Sequence, residues 1–227
     1  MKIGVLLCGQ ARYFRETYDS IRKQILEVYH PDVYIHTWSS TDDTFEAAPW
    51  NKLGPIRITK EDIAEYIRLY NPIKYQVDQS ISPLEPADPG RTSAPQTRTN
   101  FTSYATSLKR CYSLVDKPYD AFIILRSDAI PVVFPPPSQT HILVWDRLAP
   151  RNDVLDVIVC SVPSRHMDVY ASLVDFLDTY YRKGYSFNYE ELYHAHFTEQ
   201  GLYSVTLRLP KVKFEWQYVR GTSIEKM

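Results

Sequence analysis

Three short apolar runs constrain the fold of this 227-residue chain more than any other feature: "KIGVLLCG" at 2–9, "DVYIHTW" at 32–38 and "AFIIL" at 121–125. A strand that is apolar at nearly every position, not at alternate ones, buries both of its faces. Between the first two runs lies "QARYFRETYDSIRKQILEVYH", where Tyr18, Ile21, Ile25 and Val28 recur close to helical period and Pro31 follows the end. Strand, helix, strand in that order joins parallel neighbours, whose functional loops lie where the strands finish. The sequence therefore predicts an α/β fold: one domain over 1–227 with a mostly parallel central sheet flanked by helices.

The rest of the chain fits that alternation. Residues 39–58 form a polar loop containing Trp50. Thr59 caps a helix over "KEDIAEYIRLYN", and "IKYQVDQ" alternates as a strand does. Pro83, Pro86, Pro89, Gly90 and Pro95 punctuate a segment at about 80–96, expected to be a flexible surface loop or lid. Phe101, Tyr104, Ala105, Leu108, Cys111, Tyr112 and Val115 keep the three-four spacing of a helix. "YDAFIILRSDAIPVV" reads as the central buried strand, with "HILVWDR" and "LDVIVCS" as further strands. Ser164 is placed as the cap of a long helix through Tyr181, and Gly201 stops another over "NYEELYHAHFTEQG". "LYSVTLRL" and "KFEWQYVR" read as late strands.

Composition excludes some functions. The 26 basic and 27 acidic residues are mixed without long runs, so no basic face is offered to nucleic acid. No stretch approaches the ~20 apolar residues of a membrane span. Cys8, Cys111 and Cys160 are scattered and odd in number, which favours reduced thiols over a disulfide framework. A cytoplasmic location is expected. Eighteen tyrosines and four tryptophans suit stacking on sugars and bases, and suit ordinary packing equally well.

The central strand breaks off in Arg126, Ser127 and Asp128. A carboxylate at such a tip can hold a divalent cation together with a diphosphate, and Arg126 can clamp phosphate bidentately. The two side chains can also simply pair with each other. Lys109 is assigned to solvent, as most helical lysines are.

At this point a resemblance enters. "GVLLCGQARYFRETYDSI", "DVYIHTWSS", "TSYATSLKRCYSLV" directly before "YDAFIILRSDAI", then "NDVLDVIVCS" and "YEELYHAHF" resemble, in order and spacing over roughly 3–205, glycosyltransferases of the GT-A fold. Such enzymes occur in bacterial polysaccharide synthesis, WavE-type lipopolysaccharide enzymes among them, and in some large DNA viruses. The resemblance implies a GT-A-like (Rossmann-like) domain that moves a sugar from a nucleotide-diphosphate donor, UDP-linked by family habit, to a glycan or glycoprotein acceptor. It implies Mn2+ or Mg2+ held at an Asp-x-Asp. Asp128 occupies the last position of that motif, but Arg126 stands where the first Asp would be. Either Asp128 holds the cation alone, or Arg126 takes over part of its neutralising role.

Carried over residue by residue, the resemblance places Gly9, Gln10 and Arg12 along the nucleotide, with His36 and Trp38 beside them. A late histidine, His194 or His196, would complete the metal site; Glu190 and His194 share a helical face. Asp156 is the expected base for an inverting transfer, with Glu191 and Asp153 as rivals. A catalytically inactive nucleotide-sugar-binding module of the same fold is the alternative. Nucleotidyl transfer ranks last, because "CGQAR" is a poor glycine-rich phosphate loop.

Overall fold

In the computed structural model of the chain, residues 1–39, 58–81, 84, 97–146, 156–211, 213 and 215–218 are described. A seven-stranded sheet is built in the order β3-β2-β1-β4-β7-β6-β8. Its strands are β1 (Ile3–Cys8), β2 (Asp32–Trp38), β3 (Lys74–Asp78), β4 (Ala121–Leu125), β6 (Ile142–Trp145), β7 (Asp156–Pro163) and β8 (Thr206–Leu209). β1 pairs in parallel with β2 on one side and β4 on the other, and β2 with β3. β7 runs against β4 and β6, while β8 is parallel to β6. From β1 the chain winds outward to β2 and β3, then crosses back to lay β4 on β1's other edge. The tips of β1 and β4 thus flank a topological switch point, the crevice where open α/β sheets take ligands.

The apolar runs have the expected cause. Val5, Leu7, Ile35, Ile123 and Leu125 pack on one face with Phe14, Ile63 and Tyr66. Leu6, Cys8, Tyr34, Phe122 and Ile124 pack on the other with Phe101, Tyr104 and Leu108. The helices that cover the sheet are α1 (Phe14–Ile21), α2 (Glu27–Tyr29), α3 (Lys60–Tyr70), α4 (Thr97–Ser113), α5 (Met167–Ala171), α6 (Leu173–Arg182) and α7 (Tyr189–Glu199). Thr59 forms a full capping box with Asp62, as its sequence position predicts. The aromatics are largely core: Tyr34, Tyr66, Tyr170, Tyr180 and Tyr193 are among the largest fully buried side chains. Cys8, Cys111 and Cys160 are buried thiols.

Four expectations need correction. The first helix starts at Phe14, not Gln10, and contains a π turn over Arg22–Leu26 in which the Glu27 N–H reaches back to the Arg22 carbonyl. The extra residue rotates the helix face, so Val28 is 57% exposed and Tyr29 packs inward in its place. The central strand ends at Leu125; residues 126–128 form a turn, and β5 (Ala129–Val133) pairs instead with β9 (Glu215–Tyr218) in a separate two-stranded sheet. The long helix from Ser164 is a 3-10 turn followed by α5 and α6, which meet at Ser172. Ser164 is not its cap, because Pro163 holds that position without a side-chain bond. Trp50 and most of the proline-rich segment lie outside the described residues, as does Asp153.

Candidate functional site at the tips of the parallel strands

The loops after β1 and β4 are bound together by one hydroxyl. Ser127 Oγ donates to the Gln10 carbonyl at 2.6 Å and accepts the Arg12 N–H at 3.0 Å. Thr17 Oγ1 donates to the Ser127 carbonyl at 2.6 Å, tying the start of α1 to the same turn. Gly9 leaves β1 at φ 102°, a conformation that other residues rarely adopt, and Tyr13 is left-handed at φ 52°. The Gly9 N–H lies 2.7 Å from Ser107 Oγ and 3.2 Å from the His36 carbonyl. Gly9, Gln10 and Arg12 therefore line one loop whose backbone is fixed at several points.

That fixation gathers charge. Arg126 grips Asp128 bidentately, with Nε 2.9 Å from Oδ1 and Nη2 on Oδ2. Arg12 approaches the same carboxylate from the β1 loop, its Nη2 3.9 Å from Oδ2. Asp128 is 8% exposed. Burial pushes its carboxyl up, but the Arg126 and Arg12 charges outweigh burial and hold it below the usual range. Burial likewise pulls the Arg12 guanidinium down, against the Asp128 charge. Two guanidiniums converge on one carboxylate. Tyr189, the first residue of α7, lies within electrostatic range of all three, and burial pushes its phenol up to about 12. Its ring packs 5.5 Å from that of Tyr104 and 4.4 Å from that of Phe101.

His36 and Trp38, expected beside the nucleotide, end β2. Both are buried, and His36 sits between Asp78 (Nε2 to Oδ2, 3.0 Å) and Ser107 (Nδ1 to Oγ, 2.7 Å). A carboxylate only accepts, so Nε2 carries the proton and Nδ1 accepts from the serine. Gln76 Nε2 donates to Asp78 at 2.8 Å, and Arg110 reaches it from α4. The Trp38 ring stands edge-on to His36 at 4.8 Å, with the Arg110 guanidinium over it at 5.4 Å. These two residues brace β2, β3 and α4 behind the site. Lys109 pairs with Asp175 at 2.6 Å on the exposed side of α4.

The late histidines are separated by their environments. His196 is fully buried, with Nδ1 2.9 Å from the Tyr180 hydroxyl and Nε2 2.7 Å from the Val169 carbonyl. Nε2 must donate to that carbonyl and Nδ1 accepts, so both nitrogens are occupied and His196 is not placed to ligate a metal. His194 packs its ring edge-on to Tyr203 at 5.1 Å. Glu191 lies in the first turn of α7, accepting from Ser186 Oγ at 2.7 Å, and Asn188 caps that turn through the Glu190 and Glu191 N–H groups. Asp156 opens β7; because β7 runs against β4, its first residue comes to the end of the sheet where β4 finishes.

A divalent cation does not fit the described arrangement. Both oxygens of Asp128 accept from Arg126 and a second guanidinium stands 3.9 Å away, so a cation would meet two like charges. Among the described residues no group of three or more His, Cys, Asp or Glu is placed to hold one. Residues that sequence reasoning missed are Ser107, Ser127, Asp78 and Tyr189. Ser107 stands on the apolar stripe of α4 between Tyr104 and Cys111, a readable sign of a buried polar contact.

The buried histidines set a pH response. Burial is the largest cause lowering His36 and His196 below 6.5, only partly offset by Asp78 for the first and by the Val169 hydrogen bond for the second. Between those lowered values and 6.5, the unfolded chain binds more protons than the folded one, so stability rises with pH in that window. The urea midpoint is expected to fall as pH drops from about 7 to about 5.5, and His196→Gln to flatten the fall. A midpoint that stays level in the parent chain contradicts this.

No family model matches the sequence, and neither does any curated protein. Solved structures do resemble it. A glycosyltransferase involved in the glycosylation of the major capsid of PBCV-1 aligns over 98% of this chain and 95% of its own, with TM-score 0.50 and 9% identity. Core-mannan synthase A from Aspergillus fumigatus, solved in its Mn/GDP form, aligns over 96% of this chain and 75% of its own, with TM-score 0.53 and 9% identity. At such identities the likeness is one of architecture. The α/β fold of this chain, a mostly parallel seven-stranded sheet flanked by helices, is similar to that of these glycosyltransferases.

Proposed function

We propose that residues 1–227 act as one catalytic domain, a glycosyltransferase that moves a hexosyl or deoxyhexosyl group from a nucleotide-diphosphate sugar to a glycan acceptor. The observation that carries this reading is the convergence of Arg12, Arg126 and Asp128 at the β1/β4 switch point, where α/β sheets of this kind take ligands. UDP-sugars are the first candidate donors, and GDP-sugars the second because core-mannan synthase A was solved with GDP. The β1 loop at Gly9, Gln10 and Arg12 would line the nucleotide, and the guanidiniums would neutralise the diphosphate as it leaves.

Asp156 is proposed as the base. The acceptor hydroxyl oxygen forms a bond to the anomeric carbon from the face opposite the diphosphate, and the bond from that carbon to the phosphate oxygen breaks. Its electron pair leaves with the diphosphate, and the hydroxyl proton passes to the Asp156 carboxylate, giving inversion. The antiparallel course of β7, which brings Asp156 to the strand-tip end, supports the assignment. Glu191, on the turn that begins with Tyr189, is the next candidate.

The test is nucleoside diphosphate release from a panel of UDP- and GDP-sugars, with and without glycan acceptors. Turnover of at least one donor is expected, with kcat lowered by about a hundredfold or more in Asp156→Asn. Full activity in that variant with loss in Glu191→Gln moves the base to Glu191. Binding without any turnover identifies an inactive module.

A further inference from the structure

We infer that the chain forms a two-fold symmetric dimer in which β3 of each copy lies antiparallel to β3 of the other, with Gln76 on the symmetry axis, joining two seven-stranded sheets edge to edge. The dimer goes beyond the transfer reaction proposed above and does not depend on it.

β3 is the last strand on its side of the sheet: among the described residues it pairs with β2 and with no other strand. An open edge presents backbone N–H and C=O groups to which a further strand can add. The register with β2 sets which side chains share a face. Tyr75 and Val77 stand beside Ile35 and Thr37, and Lys74, Gln76 and Asp78 beside Tyr34, His36 and Trp38. Ile35 is buried in one cluster with Ile63 and Tyr66 of α3. That helix does not cover the edge: Ile73, Tyr75 and Val77 alternate along β3 on its side and are 44%, 54% and 37% exposed. An apolar row beside an open edge offers an added strand both pairing and burial.

The strand's own sequence selects a second copy as the occupant. Around Gln76 the segment Lys74, Tyr75, Gln76, Val77, Asp78 is self-complementary. Antiparallel pairing sets Lys74 opposite Asp78 of the second copy and Tyr75 opposite its Val77, and residues directly opposite share a face. Each contact then occurs twice, an ammonium against a carboxylate and an aromatic ring against a β-branched side chain. A dyad normal to the sheet must pass through a residue, because a one-residue slip would set the apolar face of one strand against the polar face of the other. With Tyr75 on the axis, Lys74 would meet Gln76; with Val77 on it, Gln76 would meet Asp78. Only Gln76 brings opposite charges together.

Both charges can be recruited. Lys74 pairs with Asp116 at 2.7 Å, but these side chains are 45% and 53% exposed, and so solvated a pair is readily exchanged. The bonds that Asp78 accepts from His36, Gln76 and Arg110 all end on Oδ2. Because the copies run antiparallel, their strand-tip sites lie at opposite ends of the joined sheet.

The experiment is sedimentation equilibrium of the full chain from about 1 to about 200 μM, with a short edge giving a small interface and a dissociation constant of about 10–100 μM. Val77→Lys, at an exposed position, is expected to raise that constant more than about tenfold by setting a charge against Tyr75 of the second copy. Register is read by cysteine cross-linking under mild oxidation, in which Cys8, Cys111 and Cys160 are buried and do not compete. Gln76→Cys is expected to link to its own copy, since residues facing across the axis have Cα atoms about 5 Å apart. Tyr75→Cys is expected not to, because its copy lies about 8 Å away, beyond disulfide reach. A single-chain mass at every concentration overturns the inference and leaves the edge to another occupant. A dimer that Val77→Lys leaves unchanged overturns it too, as does cross-linking of Tyr75→Cys in place of Gln76→Cys. Sedimentation of the unaltered chain needs no variant, and the lysine and cysteine changes fall at different positions, so misfolding of one leaves the other to decide.

Discussion

Replacing Arg126 by methionine is expected to lower stability by roughly 3–5 kcal/mol, because it strips a buried carboxylate of its bidentate partner. Asp128 is 8% exposed and, among the described side chains, would keep the Arg12 guanidinium at 3.9 Å. Methionine fills much of the vacated volume, so the loss is electrostatic and not a cavity effect. Acid should erase the difference. The Asp128 carboxyl is held below 3.8 by the two arginines, so its stabilising contribution is complete above 3.8 and fades as pH falls through the lowered value. A second change, Asp128→Leu on the Arg126→Met background, should restore much of the stability by removing the stranded charge. Urea unfolding at neutral pH measures all three proteins. A single-variant loss below about 1 kcal/mol would mean that the pair behaves as a solvated surface ion pair.

Ser127→Ala should be the next most damaging single change, at about 1–2 kcal/mol. Ser127 is 2% exposed, and its hydroxyl satisfies the Gln10 carbonyl and the Arg12 N–H. Alanine removes both bonds that join the loops, while the Arg12 N–H and the Gln10 carbonyl keep the 2.8 Å bond they make to each other, so the cost is the net value of two hydrogen bonds and not that of stranded polar groups. The same change frees the β1 loop from the β4 turn, so nucleoside diphosphate affinity should fall with it. The Thr17 bond to the Ser127 carbonyl uses backbone and survives the substitution. If urea unfolding shows no loss and affinity is unchanged, the loops are held by something other than this hydroxyl.

Much of the scaffold was legible because its signals are local. β1 and β2 are apolar enough to require burial on both faces, and the Thr59–Asp62 capping box is written in adjacent residues. What was not legible depends on partners distant in sequence. The charged triplet Arg126, Ser127 and Asp128 interrupts "AFIILRSDAIPVV", but the apolar pattern resumes at Ala129, and only the pairing of β5 with β9 shows that the chain leaves the central sheet there. His36 and Trp38 end a strand that reads as buried, and a place beside the nucleotide loop was as readable as packing until Asp78, 42 residues on from His36, is seen on the imidazole. The π turn after Ile21 and the meeting of α5 and α6 at Ser172 carry no glycine or proline to announce them. Asp128 was identifiable at the tip of a central strand, and the possibility that it pairs with Arg126 was readable two residues away. Arg12 joining the pair required the folded loop.

The measurement that bears most directly on the central claim is a crystal structure of the full chain grown with UDP or GDP. Phosphate oxygens within hydrogen-bonding reach of Arg12 and Arg126, with the base lying along the loop from Gly9 to Arg12, are what the account predicts. A nucleotide bound away from the ends of β1 and β4, with Arg126 still closed on Asp128 and no phosphate near either guanidinium, would contradict it.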